Sequence, residues 1–364
     1  MTIKVFIWYF KQVPKETKQI SKLIGLKGKI LELEEQLQDL GSLGIVGMGG
    51  IGKSTLANAL SGHVSHTFGA TCFVGDFTCE SCTIHVKHNL QDAKEPPQTK
   101  TLKEGHKLLK QLQDTKKILI VLDNVGNASQ LEVLLGDRTC LDVHGSKLIA
   151  TSRSWESLRR HVPTVGKVDM ETLDKEKSKE LFSIHAFATD QPCLPYLEHV
   201  AEKIVKACDG LPLSLEVMGS YLYEEKRLRI WERTLQRLLR ARHDGSIDGK
   251  IWETLRISFD ELIEKEQSVF LDISCFFSKD SWTSDWVYTK TTLLRMFHDD
   301  VKNTQQTLES LEDKSLVKFD KIGKLDIHDQ LRDMGRMIVE KKFQHTRVWN
   351  LSLTTLLEYW NHKV

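Results

Sequence analysis

The sequence predicts an α/β P-loop-type domain with a doubly wound parallel sheet, then an all-α helical domain, then a winged-helix domain. Three observations predict it. Short apolar runs alternate with helical patterns over the first half of the chain, the period turns helical from about residue 174, and a hairpin pattern centred on Gly323 follows further helices.

The elements follow in order. An amphipathic stretch, ILELEEQLQDL at 30–40, opens the first domain. The runs LGIVGM (43–48), ATCFVGDF (70–77), KILIVLDNV (117–125) and SKLIATSR (146–153) read as buried parallel strands. The proline-bearing AKEPPQTK (93–100) reads as a surface loop. Helical patterns then run through EKSKELFSIHAF, YLEHVAEKIVKACDG and LPLSLEVMGSYLY. Gly210 supplies a helix stop and Pro212 begins the next helix, because its missing N–H is not needed in the first turn. Helices from IWETLRISFDEL (251–262) to DMGRMIVEKK enclose the alternating SLVKFDKIGKLDIHD (315–329), which suggests the winged helix.

A chain of 364 residues exceeds what one core organises, consistent with a modular protein. Its 51 basic and 50 acidic residues leave a formal charge of +1, so no global field draws it to nucleic acid or membrane. No DNA binding is expected, since no basic recognition helix accompanies the winged-helix pattern. The apolar part of MTIKVFIWYFKQ is too short for a signal peptide core or a membrane span, and the chain reads as cytoplasmic, with the nucleus as the alternative. Seven scattered cysteines fit reduced thiols rather than a disulfide framework. Cys79, Cys82, His85 and His88 lack the chain excursion that separates zinc-finger ligand pairs, and the segment reads as a surface turn running into a helix.

The chemistry starts at Gly47-Met48-Gly49-Gly50-Ile51-Gly52-Lys53-Ser54, which satisfies G-x-x-x-x-G-K-[ST] between an apolar run and the helical TLANAL. The glycines let backbone N–H groups converge on phosphates, Lys53 can reach the β and γ oxygens, and the Ser54 hydroxyl can ligate Mg²⁺. Asp123 ends an apolar strand where open α/β sheets place ligands and is the second expected Mg²⁺ residue, acting mostly through the water shell. Asn124 can hydrogen-bond an attacking water but cannot accept its proton, so these residues bind better than they hydrolyse. Arg153, ending the fourth run, is placed to sense a γ-phosphate.

These motifs in this order resemble the NB-ARC region of plant nucleotide-binding, leucine-rich-repeat disease-resistance proteins. GMGGIGKST resembles the family's phosphate loop, KILIVLDNV its second kinase motif, GSKLIATSR its third, and METLDKEKSKELFSIHAF the helical stretch beyond. CDGLPLSLEVMGSYL resembles the GLPL motif, FLDISCFF the start of the winged-helix region, and Ile327-His328-Asp329 the MHD motif. FLDISCFF is closer to the TIR-type group.

The resemblance implies a switch that holds ADP when off and ATP when on, self-associating or binding protein partners through the nucleotide module. The cofactor set is ADP or ATP with Mg²⁺, held at Gly47, Gly49, Gly50, Ile51, Gly52, Lys53, Ser54 and Thr55. By position, the segment of Ile24 would contact adenine through its backbone, Pro212 would pack near adenine or ribose, and His328 would meet the β-phosphate. Asp329 is expected to cap the helix QLRDMGRMIV. The expected divisions are an extension at 1–22, the nucleotide domain at 23–170, the helical domain at 171–248, the winged helix at 249–342 and a linker at 343–364. Asn124 departs from the usual second aspartate, which leaves at most a slow ATPase. Ile327 for methionine conserves volume, and Gly126 matches neither residue that separates the two receptor groups. With no TIR or coiled-coil domain before the cassette and no repeats after it, a truncated product, a fragment or partner chains are expected. A catalytic ATPase and an adaptor with a vestigial site are the competing readings.

Overall fold

The computed structural model describes residues 24–75, 83–88, 102–126, 145–160, 165–187, 193–223, 225–241, 247–277, 288–296, 301–320 and 323–343, together with Glu132 and Leu135. The first part carries α1 (Lys27–Leu40), β1 (Ser42–Val46), α2 (Lys53–Val64), β2 (Ala70–Gly75), β3 (Thr83–His88), α3 (Leu102–Gln113), β4 (Ile118–Leu122), β5 (Lys147–Ser152), α4 (Trp155–Arg159) and β6 (Gly166–Asp169). The strands lie in the order β3-β2-β4-β5-β1-β6, parallel except for β3. All residues of β1 and β4 are buried, because helices cover both faces of a parallel sheet; this is why those runs read as continuously apolar.

Two strands depart from the sequence expectation. The segment TIHVKH, expected to enter a helix, is a strand antiparallel to β2, in register from Ala70 opposite His88 to Gly75 opposite Thr83. Thr83, Ile84 and Val86 are β-branched, and the free edge of β2 offers ladder partners that a helix would leave unused. His85 and His88 fall in this strand, whereas Cys79 and Cys82 lie outside the described residues. Among the described residues no cluster of metal-binding side chains is present. The other addition, β6, buries only Val168 and therefore leaves no apolar run to read. The loop expected at 93–100 also lies outside the described residues.

The helical part comprises α5 (Lys175–Ala186), α6 (Pro195–Ala207), α7 (Pro212–Tyr221) and α8 (Leu228–Ala241), and α9 (Ile247–Asp260) leads from it into the last part. Asp174 caps α5 by accepting from the Lys177 amide at 2.9 Å. Gly210, at φ +70°, turns the chain out of α6, and Pro212 occupies the first turn of α7 as expected. A Cβ on Gly210 would run into the Leu173 carbonyl, so this corner needs glycine twice over, for its dihedral and for its closeness. The fully buried Trp231 stacks on Phe187 and meets Phe182 edge-on, and its indole N–H donates to the Glu225 carbonyl.

The last part is a winged helix: α10 (Glu264–Phe276), α11 (Lys290–Met296), α12 (Val301–Asp313), β7 (Lys318–Phe319), β8 (Leu325–Asp326) and α13 (Asp329–Phe343). Gly323, at φ +78°, makes the expected hairpin turn. Ile327 is buried, so a side chain of methionine's volume suffices there. One continuous core joins the helical and winged-helix parts and takes in Ile51 of the glycine-rich loop. Among the described residues no helix is long and apolar enough to cross a membrane.

Candidate functional site

Strand order builds the site. β1, β5 and β4 are neighbours, so their carboxyl ends bring the loop at 47–52, Arg153 and Asp123 to one edge of the sheet. Gly50 and Gly52 take φ of +75° and +94°, which lets the loop fold back over the start of α2. Lys53 is buried, and its Nζ donates to the Met48 carbonyl at 2.8 Å. Burial lowers its pKa to about 8, helped by the Arg153 charge and opposed by Asp123 and Asp329. Ser54 and Thr55 are exposed at the mouth of the loop.

Asp123 is held by two hydroxyls. Ser54 Oγ donates to Asp123 Oδ1 at 2.8 Å, and Thr151 Oγ1 donates to the same oxygen at 2.6 Å. Thr151 Oγ1 in turn accepts from the Asn124 amide at 2.8 Å. Thr151 was not singled out from the sequence, where it reads as one more strand residue; a hydroxyl two places before Arg153 was the available signal. Asn124 adopts φ +59°, a conformation that asparagine tolerates better than most residues. Gly126 faces open space, so packing does not demand glycine there.

The other two parts of the chain rest on this edge. The Leu213 amide, next to Pro212, donates to the Gly50 carbonyl at 3.2 Å, and a Cβ on Gly50 would touch the Leu213 side chain. Ile24 lies in the turn before α1, whose Gly25 packs on Leu173 and Lys177; the Leu173 amide donates to the Gly210 carbonyl at 2.8 Å. The turn of Ile24 and the corner of Pro212 are thus linked through Leu173. From the winged helix, the side-chain amide of Gln330 lies against Gly49, leaving no room for a Cβ there. Gln330 is buried, and its Oε1 accepts from Trp252 Nε1 at 2.9 Å. Neither residue was singled out from the sequence, which carries no local signal for a contact between such distant segments.

His328 precedes Gln330 by two residues. It keeps an exposed surface. Crowding holds its imidazole below the ordinary range, against the pull of Asp329. Its Nδ1 accepts from the Gln330 amide at 3.2 Å and its carbonyl accepts from the Leu331 and Arg332 amides, so His328 caps α13. This corrects the expectation for Asp329. Asp329 Oδ2 instead accepts from Asn124 Nδ2 at 2.7 Å, and its Oδ1 pairs with Arg332 at 3.1 Å. The carboxylate reaches across to a stronger set of donors because the histidine ring already meets the first free amide. Arg153 Nη2 stands 3.6 Å from Asp333 Oδ2, also on α13.

Comparison with known proteins bears on this geometry. The NB-ARC domain model matches residues 24–191, and the model of the winged-helix domain of Roq1-like disease-resistance proteins matches residues 263–342. Over 91% of its length the chain is 30% identical to disease resistance protein RUN1 of Vitis rotundifolia, covering 25% of that protein. It is 31% identical over 88% of its length to TMV resistance protein N of Nicotiana glutinosa, covering 28% of it. The chain thus spans about a quarter of the length of these relatives. Its fold is also that of a STAND-class signal transduction ATPase with a tetratricopeptide repeat sensor from Pyrococcus horikoshii, at TM-score 0.52 and 16% identity, covering 87% of this chain and 42% of that one. With a nucleotide-binding part, a helical part and a winged helix in the family's order, the chain belongs to the NB-ARC family of plant nucleotide-binding, leucine-rich-repeat disease-resistance proteins, and the relatives it matches are TIR-type members.

Proposed function

We propose that this chain is an ADP/ATP switch in plant disease-resistance signalling, closed and off with ADP, open and on with ATP. The observation that carries the reading is the seating of the winged helix on the phosphate loop, with Gln330 against Gly49 and Asp329 bonded to Asn124. A ligand held between two jaws stabilises the closed form; at about a thousand times its dissociation constant the gain is about 4 kcal/mol.

The residues divide the work by chemistry. Lys53, now donating to a loop carbonyl, has a proton ready for a phosphate oxygen, and the N–H groups of Gly47 to Thr55 favour an anion at the start of α2. Ser54 Oγ and Asp123 Oδ1 share one place and form the hard-oxygen set that suits Mg²⁺, which would neutralise phosphate charge there. The turn of Ile24 and the corner of Pro212 would border the base and ribose. His328 would face the β-phosphate through Nε2, which carries the proton when Nδ1 accepts from Gln330. Arg153 would meet a γ-phosphate in the open form. Asn124 lacks a basic oxygen for water activation, so turnover is slow at most.

The divisions 23–170, 171–248 and 249–342 are proposed as the switch's three bodies. Opening would expose the surfaces through which the module self-associates or binds protein partners, and the proposed compartment is cytoplasmic, with the nucleus as the alternative. The test is mass-spectrometric identification of the nucleotide that copurifies. ADP is expected in the wild type and is lost in Lys53→Ala; nucleotide-free protein of the same thermal stability would refute the reading.

A further inference from the structure

The later turns of α13 border a groove that the phosphate site does not use. Met334, Met337, Ile338 and Lys341 follow one another along one face of α13, and Trp252 and Arg256 of α9 line the opposite wall. The groove encloses about 310 Å³ and, among the described residues, is open on one side. Its floor is apolar: Met334 is buried, Trp252, Met337 and Ile338 are half-buried, and the exposed Arg256 and Lys341 form the rim. Another side of α13 is already taken by α10, where Gly335 packs on Ser274 and Arg336 Nε donates to the Ser274 carbonyl at 3.2 Å. The groove is the side left uncovered.

Residues 344–364 continue from α13 and lie outside the described residues. Their sequence places Trp349, Leu353, Leu356, Leu357 and Trp360 on one face at helical spacing, with Thr354, Thr355 and Glu358 opposite. Ser352, just before Leu353, is a favoured helix cap. So short a helix is marginal in water and needs an apolar surface to lie on. We propose that residues 352–361 form a helix that docks in the groove between α9 and α13, with Leu353, Leu356, Leu357 and Trp360 on its apolar floor. The reach suffices: the connection 344–351 can span about 25 Å, whereas the groove runs about 10 Å along α13 from Met334 to Lys341. Tethering gives this segment a high local concentration at the groove, ahead of a second copy or another protein. Two methionines in the wall adapt readily to the shape of an incoming helix. Docking ties α9 to α13 at the point where Trp252 Nε1 donates to Gln330 at 2.9 Å, so it also supports the side chain that lies against Gly49.

Hydrogen exchange of the full chain, read by mass spectrometry, tests this. Amides of 353–360 are expected to exchange at least about tenfold more slowly than in the isolated peptide 344–364, because a docked helix opens less often than a free one. Met337→Glu sets a charge in the groove and is expected to abolish that protection, while the amides of α10 keep theirs. Leu357→Asp should do the same from the other side of the contact. Where α10 also loses protection in Met337→Glu, a second variant decides: Met337→Cys with Leu357→Cys, treated with a short bis-maleimide, should give an intrachain cross-link between positions 337 and 357. Absence of that cross-link, unprotected amides in the wild type, or protection that survives Met337→Glu would overturn the inference. A cross-link that joins two chains and grows with protein concentration would overturn it as well, and would give the groove to a second copy.

Discussion

Asn124 Nδ2 donates to Asp329 Oδ2 at 2.7 Å, a bond that joins residues 205 positions apart in sequence and ties the end of β4 to the start of α13. Asparagine is the residue that makes it. Aspartate tolerates the same left-handed backbone, so Asn124→Asp changes charge and donor but not strain. Two carboxylates would then face each other, and the expected loss is about 1–3 kcal/mol of stability. Thermal melts at pH 7 check it, with Asp329→Asn in the same chain restoring most of the loss. An unchanged melting temperature in Asn124→Asp would show that the bond does not hold the two parts together.

Gly49 is a second point of contact. Gln330 cannot swing clear cheaply, because it is buried and anchored by Trp252. Gly49→Ala should therefore push the winged helix away, costing on the order of 1–3 kcal/mol for the overpacked contact. Adding Gln330→Ala should recover much of it, a coupling that a double-mutant cycle measures directly. Additive losses would mean that the two residues do not press on one another.

Lys53 sets a pH limit on phosphate binding. Its pKa is lowered to about 8 in the site without ligand, while a bound phosphate favours the charged form. ADP affinity should thus be nearly flat below pH 8 and decline above it, by up to about tenfold per unit. Calorimetry from pH 6.5 to 9.5 gives the profile. Stability of the nucleotide-free protein should move the opposite way, gaining as pH rises above about 8 and the buried charge is released.

His328 works at the acid side. Its pKa is depressed below the ordinary 6.5 by crowding, so the neutral ring is favoured in the fold. Its contribution is present above pH 6.5 and is lost as the pH falls through the lowered value, when protonation removes the Nδ1 acceptor for Gln330. His328→Ala should remove this acid sensitivity and loosen ADP retention. An acid profile identical in variant and wild type would assign the sensitivity to other groups.

The first part of the fold was legible because its signals are local. The strands leading to the phosphate loop, to Asp123 and to Arg153 are buried almost throughout, and each keeps an apolar stretch, at 43–46, 118–122 and 148–150. β3 and β6 were not legible, since an antiparallel edge and a four-residue strand with one buried side chain leave little hydrophobic pattern. The cap of α13 was misread for a related reason. Asp at a helix start is the common solution, and only the position of Asn124 across the interface shows why His328 takes that task.

By itself the sequence determined the phosphate loop, the order of the three parts and the hairpin before Ile327, because glycine dihedrals, helix stops and strand burial act over a few residues. Tertiary structure alone decided that Gln330 covers Gly49, that Thr151 shares Asp123 with Ser54, and that α13 carries two carboxylates into the site. Those contacts join segments distant along the chain, where no periodicity or spacing records which donor will meet which acceptor. Packing of the helical and winged-helix core around Ile51 settles it.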